Sequence, residues 1–115
     1  MTEMTGGELL LRCLHAEGVR HIHAITDGTY MMVIEALERL GDEFGIRLVV
    51  PRHEAAAAHA CDAYTRVSGK PAVVMACAGP GAANLLAGIE IVMRALGVER
   101  CMIGVEDNKP EAIAA

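Results

Sequence analysis

The sequence is poor in aromatic residues: it has no tryptophan, and Phe, Tyr and Trp together make up 3% of its 115 residues. A core built from this chain must therefore be aliphatic, formed by Leu, Ile, Val, Met and Ala. Hydrophobic residues make up 53% of the chain, which is enough to bury the core of one small domain. We therefore expect residues 1–115 to form a single domain.

Basic residues are also scarce, with 10 Lys and Arg against 15 Asp and Glu, for a net charge of -5. They are dispersed and form no basic stripe, which argues against a nucleic-acid surface. No apolar run reaches the roughly 18 residues that suggest a membrane span, and residues 1–7 lack the blocks of a signal peptide. We therefore expect a cytoplasmic protein with no nucleic-acid or membrane partner.

Metal-ligand spacings are missing as well. The four cysteines form neither a CxxC pair nor a zinc pattern, and we expect them to be reduced and mostly buried: Cys13, Cys61, Cys77 and Cys101. His53 and His59 are six residues apart, a poor spacing for two ligands on one helical face, and are interpreted as surface or interface residues. We predict no metal site.

Apolar runs and helical patterns alternate along the chain. Strands are predicted at residues 21–25, 46–50, 72–76 and 100–105. Helices are predicted from Thr5 to the turn at Gly18, and at residues 30–40, 54–68, 82–96 and 110–115. Gly41 is expected to end the second helix and Gly97 the fourth.

Two helices have stripes that we expect to face the core. The stripe of the first helix is predicted to hold Leu10, Cys13 and Leu14. The stripe of the second is predicted to hold Met31, Ile34, Leu37 and Leu40.

Apolar strands that alternate with helices are typical of a parallel sheet covered on both faces. Right-handed crossovers favour the flavodoxin-like strand order 2-1-3-4. We therefore predict an α/β fold of three layers, αβα, around a four-stranded parallel sheet.

Glu54 lies at the corner between the second strand and the third helix, in Pro51-Arg52-His53-Glu54. Open α/β sheets build ligand sites at the carboxyl ends of strands, and a helix N-terminus favours a negative charge there. Glu54 is therefore either a helix-capping acid or a site residue. A glycine-rich turn, Gly79-Pro80-Gly81, follows the third strand. This turn lacks the dinucleotide and Walker patterns, and is either a tight turn or the wall of a site.

Together these motifs resemble the pyrimidine-binding (Pyr) domain of thiamine-diphosphate enzymes such as acetolactate synthase and 2-oxo-acid decarboxylases. The resemblance covers residues 5–88 and also includes Thr5-Gly6-Gly7, Glu17-Gly18-Val19, Ala63-Tyr64, Arg66 and Gly69-Lys70-Pro71. It implies a catalytic role for Glu54, whose family counterpart hydrogen-bonds N1′ of the aminopyrimidine and shifts it to the imino tautomer. It also implies a set of cofactor-binding residues: Asp27, Gly28, Gly79, Pro80, Gly81 and Asn84. The Ala55 to Ala60 face and the Gly79 loop would lie in a dimer interface.

After Gly88 the sequence is similar to another family. The string Glu106-Asp107-Asn108-Lys109-Pro110 resembles the Rossmann-like flavin region of the C subunit of Rnf complexes and of complex I flavoproteins. We therefore interpret the chain as a chimera of a Pyr-like fragment, residues 1–88, and a flavoprotein-like fragment, residues 89–115, joined near residues 86–89.

Three functions follow from these resemblances. The first is a recombined or engineered scaffold, self-associating and without activity, for which we expect no cofactor in the isolated chain. The second is the Pyr subunit of a thiamine-diphosphate enzyme, which would bind thiamine diphosphate with Mg²⁺ only together with a diphosphate-binding (PP) domain. The third, a small FMN-binding protein, is not favoured because the rest of a flavin site is missing.

Overall fold

Four helices and three strands alternate in the computed structural model, which describes residues 4–96. The strands are β1 (His21–Ala24), β2 (Arg47–Val49) and β3 (Val73–Met75). The helices are α1 (Gly6–Ala16), α2 (Met31–Phe44), α3 (Glu54–Ser68) and α4 (Pro80–Leu96), with a short 3-10 turn at Gly28–Tyr30. The strand predicted at residues 100–105, the helix predicted at 110–115, the stop at Gly97 and Cys101 lie outside the described residues.

The sheet is parallel, with β1 in the middle and the order β2-β1-β3. Ile22 is the shared reference point of the register, because it pairs with Leu48 on one side and with Val73 on the other. The α/β class is confirmed, but the predicted four-stranded sheet of order 2-1-3-4 is wrong, because three strands make up the sheet in residues 4–96. The three strands of this sheet keep the predicted relative order 2-1-3 and the predicted parallel pairing.

The two faces of β1 carry different side chains, because successive residues of a strand point to opposite faces. Ile22 and Ala24 are fully buried in the core cluster that includes residues of α1 and α2. His21 and His23 meet α3 on the opposite face. His21 packs against Tyr64 with ring centroids 4.8 Å apart, and His23 Nδ1 lies 3.2 Å from Cys61 Sγ. Helices therefore cover both faces of the sheet.

Helix α1 begins where its sequence predicts. The Thr5 side chain accepts from the backbone N–H of Glu8, whose carboxylate accepts from the N–H of Thr5. The predicted inward stripe is right for Leu14, which packs against the core cluster, and wrong for Leu10 and Cys13, which are exposed. Leu11 is the fully buried residue of this helix. Gly7 determines which side of α1 faces α2, since a Cβ at Gly7 would lie 2.1 Å from the carbonyl oxygen of Met32. Leu11 lies one turn after Gly7 and therefore faces the same way.

Helix α2 continues through Gly41 to Phe44, and Gly45 ends it in the left-handed conformation with φ 62°. Gly41 is buried, and a Cβ at this position would lie 2.9 Å from the carbonyl oxygen of Ile46. The prediction that Gly41 ends the helix is therefore wrong. Close packing, and not a turn, requires this glycine.

The buried side of α2 also differs from the predicted stripe. Val33, Ala36 and Leu37 are buried there, with Ile34 and Leu40 partly buried against the same cluster. Met31 is 54% exposed, so its place in the stripe is wrong.

Helices α3 and α4 lie against each other near their N-terminal halves. Helix α3 has the predicted bounds, and α4 starts at Pro80, two residues earlier than predicted, because proline suits the first turn of a helix. A Cβ on Gly88 would lie 2.3 Å from the Ala58 Cβ, so the two helices approach closely at that point. In residues 4–96 no helix combines the length and the apolar character needed to cross a bilayer.

Candidate functional site

The predicted site residues lie in turns that follow the three strands. Asp27 and Gly28 follow β1, Glu54 opens α3 after β2, and the turn with Gly79 follows β3. Because the strands are parallel, their carboxyl ends meet at one edge of the sheet. This edge therefore carries the polar groups that sequence reasoning singled out.

Glu54 is the first residue of α3 and does not cap that helix. His53 is the cap: it has an extended backbone, and its Nδ1 accepts from the backbone N–H of Ala55 at 3.2 Å. The capping interpretation of Glu54 is therefore wrong. Its partly exposed carboxylate is directed to a contact with another helix.

That contact is with Asn84, one turn into α4. Asn84 Nδ2 donates to Glu54 Oε2 at 3.0 Å. This hydrogen bond is the main cause that lowers the pKa of Glu54, followed by the backbone N–H of Glu54 itself, while partial burial opposes both. Glu54 is therefore ionised at neutral pH.

The Gly79-Pro80-Gly81 turn forms the wall beside this carboxylate. Gly79 has a φ of 82°, which favours glycine, and the carbonyl oxygens of Cys77 and Gly79 accept from the N–H groups of Ala82 and Ala83. A Cβ on Gly81 would lie 2.7 Å from Cys77 Sγ and 3.2 Å from Glu54 Oε1. The turn is thus both a helix start and a close neighbour of Glu54.

Asp27 is engaged locally. Its carboxylate accepts from the backbone N–H of Thr29 at 2.8 Å and from the Thr29 hydroxyl, and these bonds lower the pKa of Asp27. A Cβ on Gly28 would meet no atom within 4 Å, so open space lies beside that position. Asp27 thus shapes the turn after β1, and its hydrogen bonds do not reach Glu54 or Asn84.

Tyr30 is a further polar group near this edge, and it was not singled out from the sequence. Its hydroxyl donates to the carbonyl oxygen of Ile25. Burial raises the pKa of Tyr30, and the charges that Asp27, Cys77 and Glu54 carry when ionised raise it further. A signal was available, since Tyr30 closes the Asp27-Gly28-Thr29 turn, but the pattern of α2 counted it as a helical residue.

A second polar cluster lies under α3, away from this edge. Burial lowers the pKa of His23, with a smaller contribution from His21, and burial raises the pKa of the Cys61 thiol to about 11. The pair is therefore a neutral imidazole beside a neutral thiol, which is a packing contact. Cys61 is buried as expected, whereas Cys77 is partly buried and Cys13 exposed.

Two cavities open on the described part of the chain. One of about 320 Å³ lies between α3, β3 and α4, with Cys61, Val74, Gly88 and Val92 in its lining. The other, of about 430 Å³, lies beside α2 and β2. Neither has a predicted site residue in its lining. Residues 4–96 contain no group of three or more His, Cys, Asp or Glu arranged to hold a metal ion.

Comparison with known proteins shows what this chain is similar to. Residues 4–98 match the family model described as thiamine pyrophosphate enzyme, N-terminal TPP binding domain. The acetolactate synthase large subunit of Buchnera aphidicola subsp. Acyrthosiphon pisum is 38% identical over 89 residues, which are 77% of this chain and 15% of the relative. Acetolactate synthase of Bacillus subtilis is 40% identical over 84 residues, 73% of this chain and 14% of the relative. The chloroplastic enzyme of Arabidopsis thaliana is 39% identical over 84 residues, 73% of this chain and 12% of the relative.

These matches bear on the predicted join. The family match continues to residue 98, beyond the join expected near residues 86–89. The flavoprotein-like string at Glu106 to Pro110 lies outside both that match and the described residues. This chain spans about one seventh of the length of the curated relatives it matches.

Proposed function

This chain belongs to the family of thiamine pyrophosphate enzymes through their N-terminal TPP binding domain, and from that premise we propose that it is the pyrimidine-binding half of an acetolactate-synthase-like enzyme. The substrates would be 2-oxo acids and the cofactor thiamine diphosphate with Mg²⁺. One observation carries the proposal. The ionised Glu54 carboxylate lies at the carboxyl edge of the sheet with Gly81 as its close neighbour.

The residues at this edge fit an aminopyrimidine. A ring nitrogen that carries a proton needs an acceptor, and Glu54 is an ionised acceptor whose Oε2 already has a donor in Asn84. Gly81 keeps the space beside Oε1 free of a side chain. The role of Glu54 would be to hold a proton between Oε1 and the N1′ atom of the bound ring, which requires hydrogen-bond distance.

The same edge does not fit the other half of the cofactor. A diphosphate with Mg²⁺ requires hard oxygen ligands, and residues 4–96 offer no cluster of acidic groups to hold the ion. A PP domain, in a longer chain or in another subunit, would supply that part. When bound, thiamine diphosphate supplies a thiazolium carbon that acts as the nucleophile toward a 2-oxo acid.

The Pyr-domain reading is preferred to the scaffold reading because the family match crosses the expected join. The chimeric origin, the flavoprotein-like fragment and an FMN site remain predictions without support from the described residues. A homo-oligomer and a cytoplasmic location also remain predictions. For an oligomer, the face that includes Ala55, Ala56 and Ala60 is the surface to examine first.

Complementation in trans tests the proposal. The chain is mixed with Bacillus subtilis acetolactate synthase that lacks the matched segment, together with thiamine diphosphate, Mg²⁺ and pyruvate. We expect 2-oxo-acid turnover, and Glu54→Gln is expected to lower it by about 10²- to 10⁴-fold, the usual contribution of a general acid–base group. Glu90→Gln is the matched control, because Glu90 is exposed on α4 and pairs only with Arg94 in the described structure. Turnover that Glu54→Gln leaves unchanged would refute the role of Glu54.

A binding measurement separates the alternatives without turnover. Thermal melts of the chain are recorded with thiamine diphosphate and Mg²⁺, and separately with FMN, because a ligand of the native state raises the melting temperature. A rise with FMN alone would favour the flavin reading. A rise with thiamine diphosphate that Glu54→Gln abolishes supports the Pyr reading.

A further inference from the structure

The two oxygens of the Glu54 carboxylate have different surroundings. Oε2 accepts from Asn84 Nδ2 at 3.0 Å. Oε1 lies beside Gly81, where a Cβ would be 3.2 Å away. One oxygen is therefore anchored by a side chain, while the other lies next to a residue that has none.

The anchoring residue is placed by the packing of α4 on α3. Gly81, Asn84 and Gly88 are spaced three and four residues apart, so they share one face of α4. Glu54 and Ala58 are four residues apart on α3, and they contact this same face, at Asn84 and at Gly88. The close approach of Gly88 to Ala58 thus sets the distance at which Asn84 meets Glu54.

We propose that Asn84 is a positioning residue for Glu54, whose amide anchors Oε2 so that Oε1, beside Gly81, is the oxygen that accepts a hydrogen bond from a bound aminopyrimidine. The functional part of this inference rests on the proposed function. It assigns Asn84 a different task from the direct cofactor contact that the resemblance implies. Asn84 donates a hydrogen bond to the Glu54 carboxylate, and the carboxylate accepts the hydrogen bond of the ligand.

An amide suits this task because it donates a hydrogen bond at every pH at which the protein is folded. The bond favours the charged form of Glu54, which agrees with the lowered pKa of that carboxyl. Asn84→Ala removes the donor. Asn84→Asp keeps the shape of the side chain and replaces the donor by a second carboxyl, whose like charge disfavours ionisation of Glu54.

The first test uses the chain alone and needs no cofactor. Asn84 and Asn108 are the two asparagines of the sequence, which has no glutamine, so the side-chain amides give two NH₂ pairs in a ¹⁵N NMR spectrum. On acid titration, the Asn84 pair should shift with the same midpoint as the Glu54 carboxyl carbon followed by ¹³C. In Asn84→Ala the Glu54 midpoint should move to higher pH, and in Asn84→Asp it should move higher still.

Arg94→Ala is the control, since Arg94 lies on the exposed side of α4 and pairs with Glu90. It should leave the Glu54 midpoint unchanged. The backbone amide spectrum of each variant shows whether the fold is retained. A Glu54 midpoint that is the same in the folded wild-type, Asn84→Ala and Asn84→Asp chains would overturn the proposal.

A second test uses the complemented enzyme described above. Asn84→Ala should lower kcat more than it raises KM, and the acid limb of the kcat profile should move to higher pH. If the NMR midpoint shifts but no variant or wild-type mixture turns over 2-oxo acids, the contact between Asn84 and Glu54 stands and the proposed function fails. If the enzyme is active and its acid limb is unmoved in Asn84→Ala, the positioning role fails.

Discussion

The two faces of the sheet are packed differently. On the α1 and α2 face, Leu11, Ile22 and Ala24 are fully buried in one aliphatic cluster. On the α3 and α4 face, the buried residues are small or polar, and a cavity of about 320 Å³ lies beside Val74 of β3, which is only partly buried. The first face therefore concentrates the apolar burial that stabilises the fold, while the second carries the polar groups, among them Glu54 and Asn84.

This division has a physical reason. An aliphatic core gains stability from the apolar area that it removes from water, and it needs no hydrogen bonds. A site needs charged side chains that keep contact with solvent or a ligand, which limits how completely its surroundings can be buried. Four variants, taken from the largest expected effect to the smallest, test whether the two faces differ as described.

Leu11→Ala should have the largest effect, because Leu11 is fully buried in the first face. A leucine-to-alanine change in a core costs about 2–5 kcal/mol, from lost burial and from the cavity left behind. Leu86→Ala on α4 is the control, since Leu86 is 49% exposed. It should change stability by less than about 1 kcal/mol. Urea unfolding measures both, and equal losses would contradict the difference between the faces.

Gly88→Val tests a tight contact between α3 and α4 on the second face. The new Cβ would lie 2.3 Å from the Ala58 Cβ, and overpacking of this kind costs about 1–3 kcal/mol. Ala87→Val, at an exposed position of the same helix, controls for the lower helix propensity of valine. Adding Ala58→Gly to Gly88→Val should recover part of the lost stability. If the stability changes of the two single mutants add up to that of the double mutant, the side chains at positions 58 and 88 do not interact.

His23 should make stability depend on pH below neutrality. Burial holds the pKa of His23 below its ordinary value of 6.5, so the unfolded chain binds a proton that the folded chain does not. Its contribution to stability is complete above pH 6.5 and is lost as the pH falls from there through the lowered pKa. Cys61 of α3 lies beside His23. The neighbouring His21 is in contact with Tyr64 of α3 and with Arg47 of β2.

His23→Leu should flatten this dependence in urea midpoints recorded between pH 7.5 and 5. The exposed His59, changed to leucine, should leave it as in the wild type. A dependence that persists in His23→Leu would assign the acid sensitivity to another group.

The smallest effects are expected at the surface, where the faces should not differ. Arg39 pairs with Glu8 at 2.8 Å and connects α2 to α1, while Arg66 pairs with Asp62 at 2.8 Å within α3. The arginine of each pair is about half exposed, and surface pairs contribute about 0.2–1 kcal/mol, and less at high salt. Double-mutant cycles should give similar small values for both. A pair worth several kcal/mol would mean that it stabilises its face far more than its exposure implies.

Much of the local structure follows from the sequence. The Thr5 cap, both bounds of α3 and the parallel pairing of the first three strands agree with the predictions, because caps and buried apolar runs are local signals. The corrections concern rotation and packing. Leu9, Leu10 and Leu11 are chemically alike, and the contact of Gly7 with Met32 selects which of them is buried. The sequence pattern likewise predicts a helix end at Gly41, because the close contact of Gly41 with the carbonyl oxygen of Ile46 cannot be seen in the sequence.

The candidate site was predicted in part. The sequence predicted that Glu54 and the glycine turn share one edge of the sheet, and the structure places them there, because parallel topology brings the ends of strands together. The bond between Asn84 and Glu54 joins residues 30 positions apart and depends on how α4 lies on α3. His53 as a helix cap was also missed, since histidine is not among the residues that usually cap helices.

The central position of β1 also has a consequence for how the chain folds. The pair His21 and Arg47 is separated by 47 - 21 = 26 residues, and the pair Ile22 and Val73 by 73 - 22 = 51. Each doubling of a loop adds about 0.6 kcal/mol of closure entropy, so β1 meets β2 more readily than β3. We expect α1, β1, α2 and β2 to assemble first, with the glutamate corner completed later as α4 docks. Kinetic φ-values that are higher at Val74 than at Leu37 would reverse this order.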